Sequence, residues 1–136
     1  MKLKATLLTA LFLAVFQLNA FACKCRQQSI EENMAVADHV FLAKVIDIKK
    51  SKLNNKSTVT IRVSRHFKGK MRAKTIKITT AMESASCGFP FEINKNYVIY
   101  AHKTGTGNKL TTSSCTRTTA SVKEETEGIM ALNAQK

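Results

Sequence analysis

The sequence predicts a mainly β fold: five short strands with a short helix before them and a second helix after them, closed into a small barrel of the oligonucleotide/oligosaccharide-binding type or packed as a sandwich. Three observations carry this. Short segments in which apolar residues alternate with polar ones recur between His39 and Cys115, divided by polar or glycine-containing turns. The segments on either side are spaced as helices instead. The four cysteines, Cys23, Cys25, Cys87 and Cys115, form an even set behind an export-type leader, which reads as two disulfides in one small domain.

The leader comes first. Lys2 and Lys4 precede an apolar run from Ala5 to Phe16, and Ala20-Phe21-Ala22 ends it in an A-x-A pattern. These are the parts of a secretory signal peptide, and the run is too short to span a bilayer. A lipoprotein signal usually has leucine three residues before its cysteine and small residues between, whereas Ala20 and Phe21 stand here. The expectation is therefore a signal peptide over residues 1–22, cleavage to a free amino terminus at Cys23, and a single domain over 23–136, secreted or periplasmic, with no transmembrane segment.

Ser29-Ile30-Glu31-Glu32 fits a capping box, so a short helix runs to about Ala37. Val40 to Ile48 is rich in β-formers, and Lys49 to Lys56 is a polar turn. Val59, Ile61 and Val63 alternate with Thr58, Thr60 and Arg62, which turns one face to the core. Phe67-Lys68-Gly69-Lys70 breaks that strand. Ile76 and Ile78 mark a third strand, Ala81 to Pro90 reads as an exposed connector, and Tyr97 to Ala101 is a fourth strand. Gly105 to Asn108 makes a turn into a fifth strand, Lys109 to Cys115. From Ser121 to Gln135 a helix places Val122, Ile129 and Met130 on one face, with Glu124 and Glu125 early, as a helix start prefers.

The formal charge of +13 implies acidic partners. Outside the cytoplasm these are sulfated polysaccharide, anionic lipid or an acidic protein face rather than nucleic acid. Lys49, Lys50, Lys52, Lys68 and Lys70 are the candidate polyanion contacts. His39, His66 and His102 lie at no metal-ligand spacing and read as satisfied or solvent-facing. No GxSxG, HExxH, P-loop or paired-carboxylate pattern occurs, so no enzyme activity and no cofactor are expected. Asn55-Lys56-Ser57 is formally a glycosylation sequon.

The amino terminus offers a more specific chemistry. Neighbouring cysteines in C-x-C rarely bond each other, which leaves two long-range pairings open. If Cys23 is first, its α-amine and its carbonyl oxygen are two donors able to close a five-membered chelate ring on a metal. An α-amine with a reference pKa of about 7.7 to 8.0 gives up its proton to a metal at modest cost near neutrality. A catalytic zinc keeps one coordination position for water, and such a pair could occupy it. The other reading is that C-x-C merely ties a loose end to the barrel. Residue types alone leave both open.

With these residues in view, the sequence resembles the tissue inhibitors of metalloproteinases, in particular their amino-terminal, netrin-like domain. The likeness starts at Cys23-Lys24-Cys25, runs through Asp38 to Lys44 and Arg65 to Gly69, is sharpest at Thr80-Ala81-Met82-Glu83-Ser84-Ala85-Ser86-Cys87-Gly88, and ends with the strand leading to Cys115. The resemblance implies a five-stranded oligonucleotide/oligosaccharide-binding barrel with Cys23 bonded to Cys87 and Cys25 to Cys115. It implies a monomeric inhibitor whose partner is a zinc metalloendopeptidase, with Cys23 chelating the partner's zinc. Lys24 would enter the specificity pocket beside that zinc, and Cys25, Met82, Glu83, Ser84 and Ala85 would complete the contact ridge. Three departures from the family pattern stand out. Lys24 replaces a small hydroxyl residue, so a matching pocket needs an acid to offset the desolvation of an ammonium. Ser86 is an extra residue in the connector, and the family's third disulfide in this domain has no cysteines here. A netrin-like module that uses its basic face to hold sulfated polysaccharide is the alternative function.

Overall fold

A computed structural model of the chain describes residues 23–136; the leader expected over 1–22 lies outside the described residues. Helix α1 spans Ile30–Val36. The strands are β1, His39–Ser51; β2, Lys56–Lys68; β3, Thr75–Ala81; β4, Asn96–Thr104; and β5, Lys109–Thr111. Helix α2 spans Val122–Ala134. The five strands close into a barrel in the order β1-β2-β3-β5-β4, with β1 pairing β4 to complete the ring. All pairs are antiparallel except β3 with β5. Of the barrel and the sandwich that the alternation allows, the chain forms the barrel, mainly β with flanking helices, as the resemblance implies.

The barrel interior is filled by Phe41, Ala43, Val45, Val59, Ile61, Ile78, Tyr97, Ile99 and Leu110. A second core lies outside the ring, where Val40, Val98 and Tyr100 pack against Ala37 and Ile129 with Ile30, Met34 and Val122 around them. This explains why Val40-Phe41-Leu42-Ala43 is a continuous apolar run. Phe41 and Ala43 face inward while Val40 and Leu42 face the helices, so both faces of that stretch are covered. Three register shifts along β1, after Val40, Leu42 and Val45, bend it enough to serve two neighbours.

Helix α1 starts as the capping box predicts: Glu32 N–H donates to Ser29 Oγ at 3.1 Å and Ser29 N–H donates to Glu32 Oε2 at 2.8 Å. The fifth strand is shorter than its alternation suggests. It ends at Thr111 because Thr112 turns its hydroxyl to the Tyr100 carbonyl, 2.8 Å, and the chain then folds into a turn closed by Thr116 N–H on Ser113 C=O. That turn swings Cys115 toward the amino terminus. In α2, Ile129 is buried but Met130 is about half exposed, so it is off the core face expected for it. The helix comes so close to α1 that a Cβ at Gly128 would overlap Ile30 Cδ1.

Candidate functional site

At one end of the barrel the β1–β2 hairpin turn, the end of β3 and the first described residues converge, since Ser51 pairs with Lys56 and Lys56 with Ala81. Two disulfides pin the amino terminus there. Cys23 is bonded to Cys87 with Cα atoms 5.2 Å apart, and Cys25 to Cys115 with Cα atoms 4.9 Å apart. The bonds lie side by side: Cys23 Sγ is 3.4 Å from Cys115 Sγ and 3.7 Å from Cys25 Sγ. No described cysteine is free, so none of the four sulfurs is a thiolate ligand for a metal.

The connector after β3 is an ordered turn. Glu83 C=O accepts from both Ser86 N–H, 3.1 Å, and Gly88 N–H, 3.0 Å, and Ser84–Ser86 forms one turn of 3₁₀ helix. Ser86, the extra residue, ends that turn, and Cys87 leaves it in the left-handed region at φ 62°. Gly88 is buried, and a Cβ there would overlap the carbonyls of Ala81 and Glu83, so only glycine lets the chain double back under the turn. Ser114 N–H donates to Cys87 C=O at 2.9 Å, linking the connector to the Cys115 turn.

The predicted contact residues are distributed as follows. Cys23 is half-buried; Lys24 and Cys25 are exposed beside it; Glu83, Ser84 and Ala85 are exposed on the turn. Met82 is half-buried and, with Ile48, Val59, Phe89 and Phe91, lines a small cavity of about 170 Å³ next to the connector. One residue that sequence reasoning missed ties this end together. Asn55, in the hairpin turn at φ 49°, accepts Met82 N–H on its backbone oxygen at 3.0 Å and donates through Nδ2 to Ser86 Oγ at 3.3 Å. The only hint in the sequence was the formal sequon at that position.

A second missed residue, Arg117, supports the chain just behind Cys25. Arg117 donates to the Gln28 carbonyl through Nη1 at 3.3 Å, and its backbone N–H donates to Asn33 Oδ1 at 3.2 Å. Burial, and then the hydrogen bond to Glu125, pushes the Tyr100 phenol well above its ordinary range. The bond to Glu125 likewise raises Arg117.

The five candidate polyanion lysines do not share one face. Lys49, Lys50 and Lys52 lie at the hairpin-turn end, whereas Lys68 pairs in register with Val40 at the opposite end of the same hairpin, two residues before Lys70. Lys68 is already engaged, donating to the carbonyls of Met34 at 2.6 Å and Ala35 at 3.1 Å and so capping the end of α1.

The family profile described as tissue inhibitor of metalloproteinase matches residues 21–122, from just before Cys23 to the first residue of α2. The chain belongs to the tissue inhibitor of metalloproteinase family. No curated protein matches it individually. Members of the family are extracellular inhibitors that bind metalloproteinases. Among the described residues, no helix is long and apolar enough to cross a membrane. The profile covers both disulfides, the connector and all five strands, and leaves nearly all of α2 outside.

Proposed function

We propose that this tissue inhibitor of metalloproteinase family protein blocks zinc metalloendopeptidases through its mature amino terminus, Cys23, after residues 1–22 are removed as a signal peptide from a domain spanning 23–136. The α-amine nitrogen and carbonyl oxygen of Cys23 chelate the target's catalytic zinc and take the position of the hydrolytic water. With all four cysteine sulfurs in disulfides, no thiolate competes with these two main-chain atoms for the metal. Lys24 points its ammonium into the adjoining pocket of the target, where an acidic group offsets its desolvation. Met82, Glu83, Ser84 and Ala85 pack beside it.

The observation that carries this reading is the placement of Cys23. It sits at the protein surface, bonded to Cys87 at the foot of the connector, so that terminus and connector form one edge with a fixed spacing. A preorganised edge binds without a further ordering cost.

The test compares purified protein beginning at Cys23 with a copy carrying one additional alanine in front, against a panel of animal matrix and bacterial zinc metalloproteases. Inhibition that the added alanine abolishes is the expected result. Equal inhibition by both forms, or none by either across the panel, would overturn the reading.

A further inference from the structure

The barrel end opposite Cys23 carries a different chemistry. There the start of β1, the β2–β3 loop, the end of β4 and the start of β5 enclose a cavity of about 310 Å³ lined by His39, Lys70, Met71, Arg72, Lys103 and Leu110, among others. Its distance from the amino terminus follows from the register. His39 pairs with Ala101 and Lys103 with Leu110 at this end, whereas Ser51, Lys56 and Ala81 meet at the other. β3, the seven-residue strand that leads from the cavity-lining loop to the connector, spans roughly 20 Å.

Three permanent cations face this cavity and no carboxylate lines it. Among the described residues, Lys70, Arg72 and Lys103 make no ion pair. The nearest acid in sequence, Asp38, is already used, its Oδ2 accepting the backbone N–H of Lys103 at 2.7 Å. His39 is the unusual member. It is only 9% exposed, and its Nδ1 has no hydrogen-bond partner among the described residues. The ring is held by Gly69, whose φ of +70° folds the loop so tightly over it that a Cβ would overlap Nδ1. It is therefore neither satisfied nor solvent-facing, as the sequence suggested. Lys70, Arg72 and Lys103 are exposed at the cavity mouth and outnumber the single Asp38 carboxylate beside His39, so the cavity keeps a surplus of positive charge that attracts an anion.

We propose that this cavity is a binding site for one tetrahedral oxyanion, a sulfate or phosphate group either free or borne by a sugar, held by Arg72, Lys70 and Lys103 beside His39. The half-buried Met71 side chain in the lining gives a sugar ring an apolar side to lie against. The site lies at the far end from Cys23, so occupation leaves the inhibitory edge open.

Calorimetric titration with sodium sulfate, sodium phosphate and a fully sulfated heparin disaccharide, at ionic strength balanced with chloride, tests the proposal. The variants are Arg72→Gln with Lys103→Gln, and a control of equal charge change, Lys49→Gln with Lys50→Gln. Saturable binding that weakens about tenfold per removed cation in the first variant and is unchanged in the control is expected. A disaccharide that binds tighter than both inorganic ions identifies a polysaccharide as the source, and equal affinities identify the free ion. In the unsubstituted protein, NMR titration of the His39 ring should show its pKa rise when sulfate is added. Equal weakening in the two variants, or no saturable binding with an unmoved His39, would overturn it. Protease inhibition is read separately and bears on neither outcome.

Discussion

The Arg117 guanidinium grips the Glu125 carboxylate through two parallel hydrogen bonds, Nε to Oε1 at 2.8 Å and Nη2 to Oε2 at 2.7 Å. The Tyr100 hydroxyl donates a third, at 2.6 Å to Oε1. Glu125 is buried on α2, Tyr100 sits on the outer face of β4, and Arg117 reaches on to Gln28. One carboxylate thus joins the last helix, the barrel and the segment that follows Cys25.

Removing that carboxylate leaves a buried phenol without its acceptor and a half-buried cation without its partner. Glu125→Ala should lower stability by about 3 kcal/mol, and Glu125→Gln by less, since its amide oxygen still accepts from Tyr100. Urea unfolding midpoints under oxidising conditions measure both. An alanine variant as stable as the parent would mean that the pair does not hold the helix.

Gly88→Ala should leave both disulfides formed but displace the connector, because the new methyl meets the Ala81 and Glu83 carbonyls. Overpacking of this kind costs about 1 to 3 kcal/mol. Inhibition should weaken more than stability does, which a pairing of inhibition constants with unfolding midpoints would show.

Asn55→Gly keeps the left-handed backbone of the hairpin turn and removes the side-chain bond to Ser86. Stability should change by less than about 1 kcal/mol. Amide exchange of Ser84 to Cys87 should quicken, and inhibition should weaken with it. Unchanged exchange would show that the backbone bond to Met82 alone holds the turn.

Burial, reinforced by Lys103 and His66 and opposed by Asp38, holds the His39 imidazole below the ordinary histidine pKa. Between that lowered value and the unfolded value of about 6.5, the unfolded chain binds a proton that the folded chain does not, so stability rises with pH across the interval. The contribution is complete above the unfolded value and is lost as pH falls toward the folded one. His39→Gln should flatten this slope in unfolding midpoints taken from about pH 5 to about pH 8. Asp38 acts in a separate, more acidic window. The Lys103 N–H depresses its carboxyl, so its contribution is present above the unfolded carboxylate value and lost as pH falls through the folded one.

The sequence made legible whatever depends on near neighbours. Ser29 and Glu32 reveal their helix start because a capping box spans four residues, and Val59, Ile61 and Val63 reveal their strand because pleating alternates faces. What depends on closure of the ring was hidden. Val40 to Ala43 shows an apolar run but not which residues face the helices. Lys68 looks like any surface lysine until β2 brings it to the end of α1. His39 reads as an ordinary histidine because its burial comes from Gly69, which is thirty positions away. Met130 belongs to the apolar pattern of its helix, yet α2 turns Glu125 and Ile129 inward and leaves Met130 about half exposed. For the candidate edge, the cysteines and the connector were visible as a pattern, while Asn55 carried no sign of the bond it makes to Ser86.

The two disulfides span 64 and 90 positions of the chain, and the partner of Cys25 follows the last strand. Cys23 and Cys25 are therefore fixed only once residues far along the chain are in place, although they come first among the described residues. Until the connector holding Cys87 and the turn holding Cys115 are in place and an oxidant has acted, no disulfide links Cys23 and Cys25 to the body. On the proposed mechanism, a chain whose four cysteines are still reduced presents no finished edge to a zinc enzyme, so oxidation is the step that arms it.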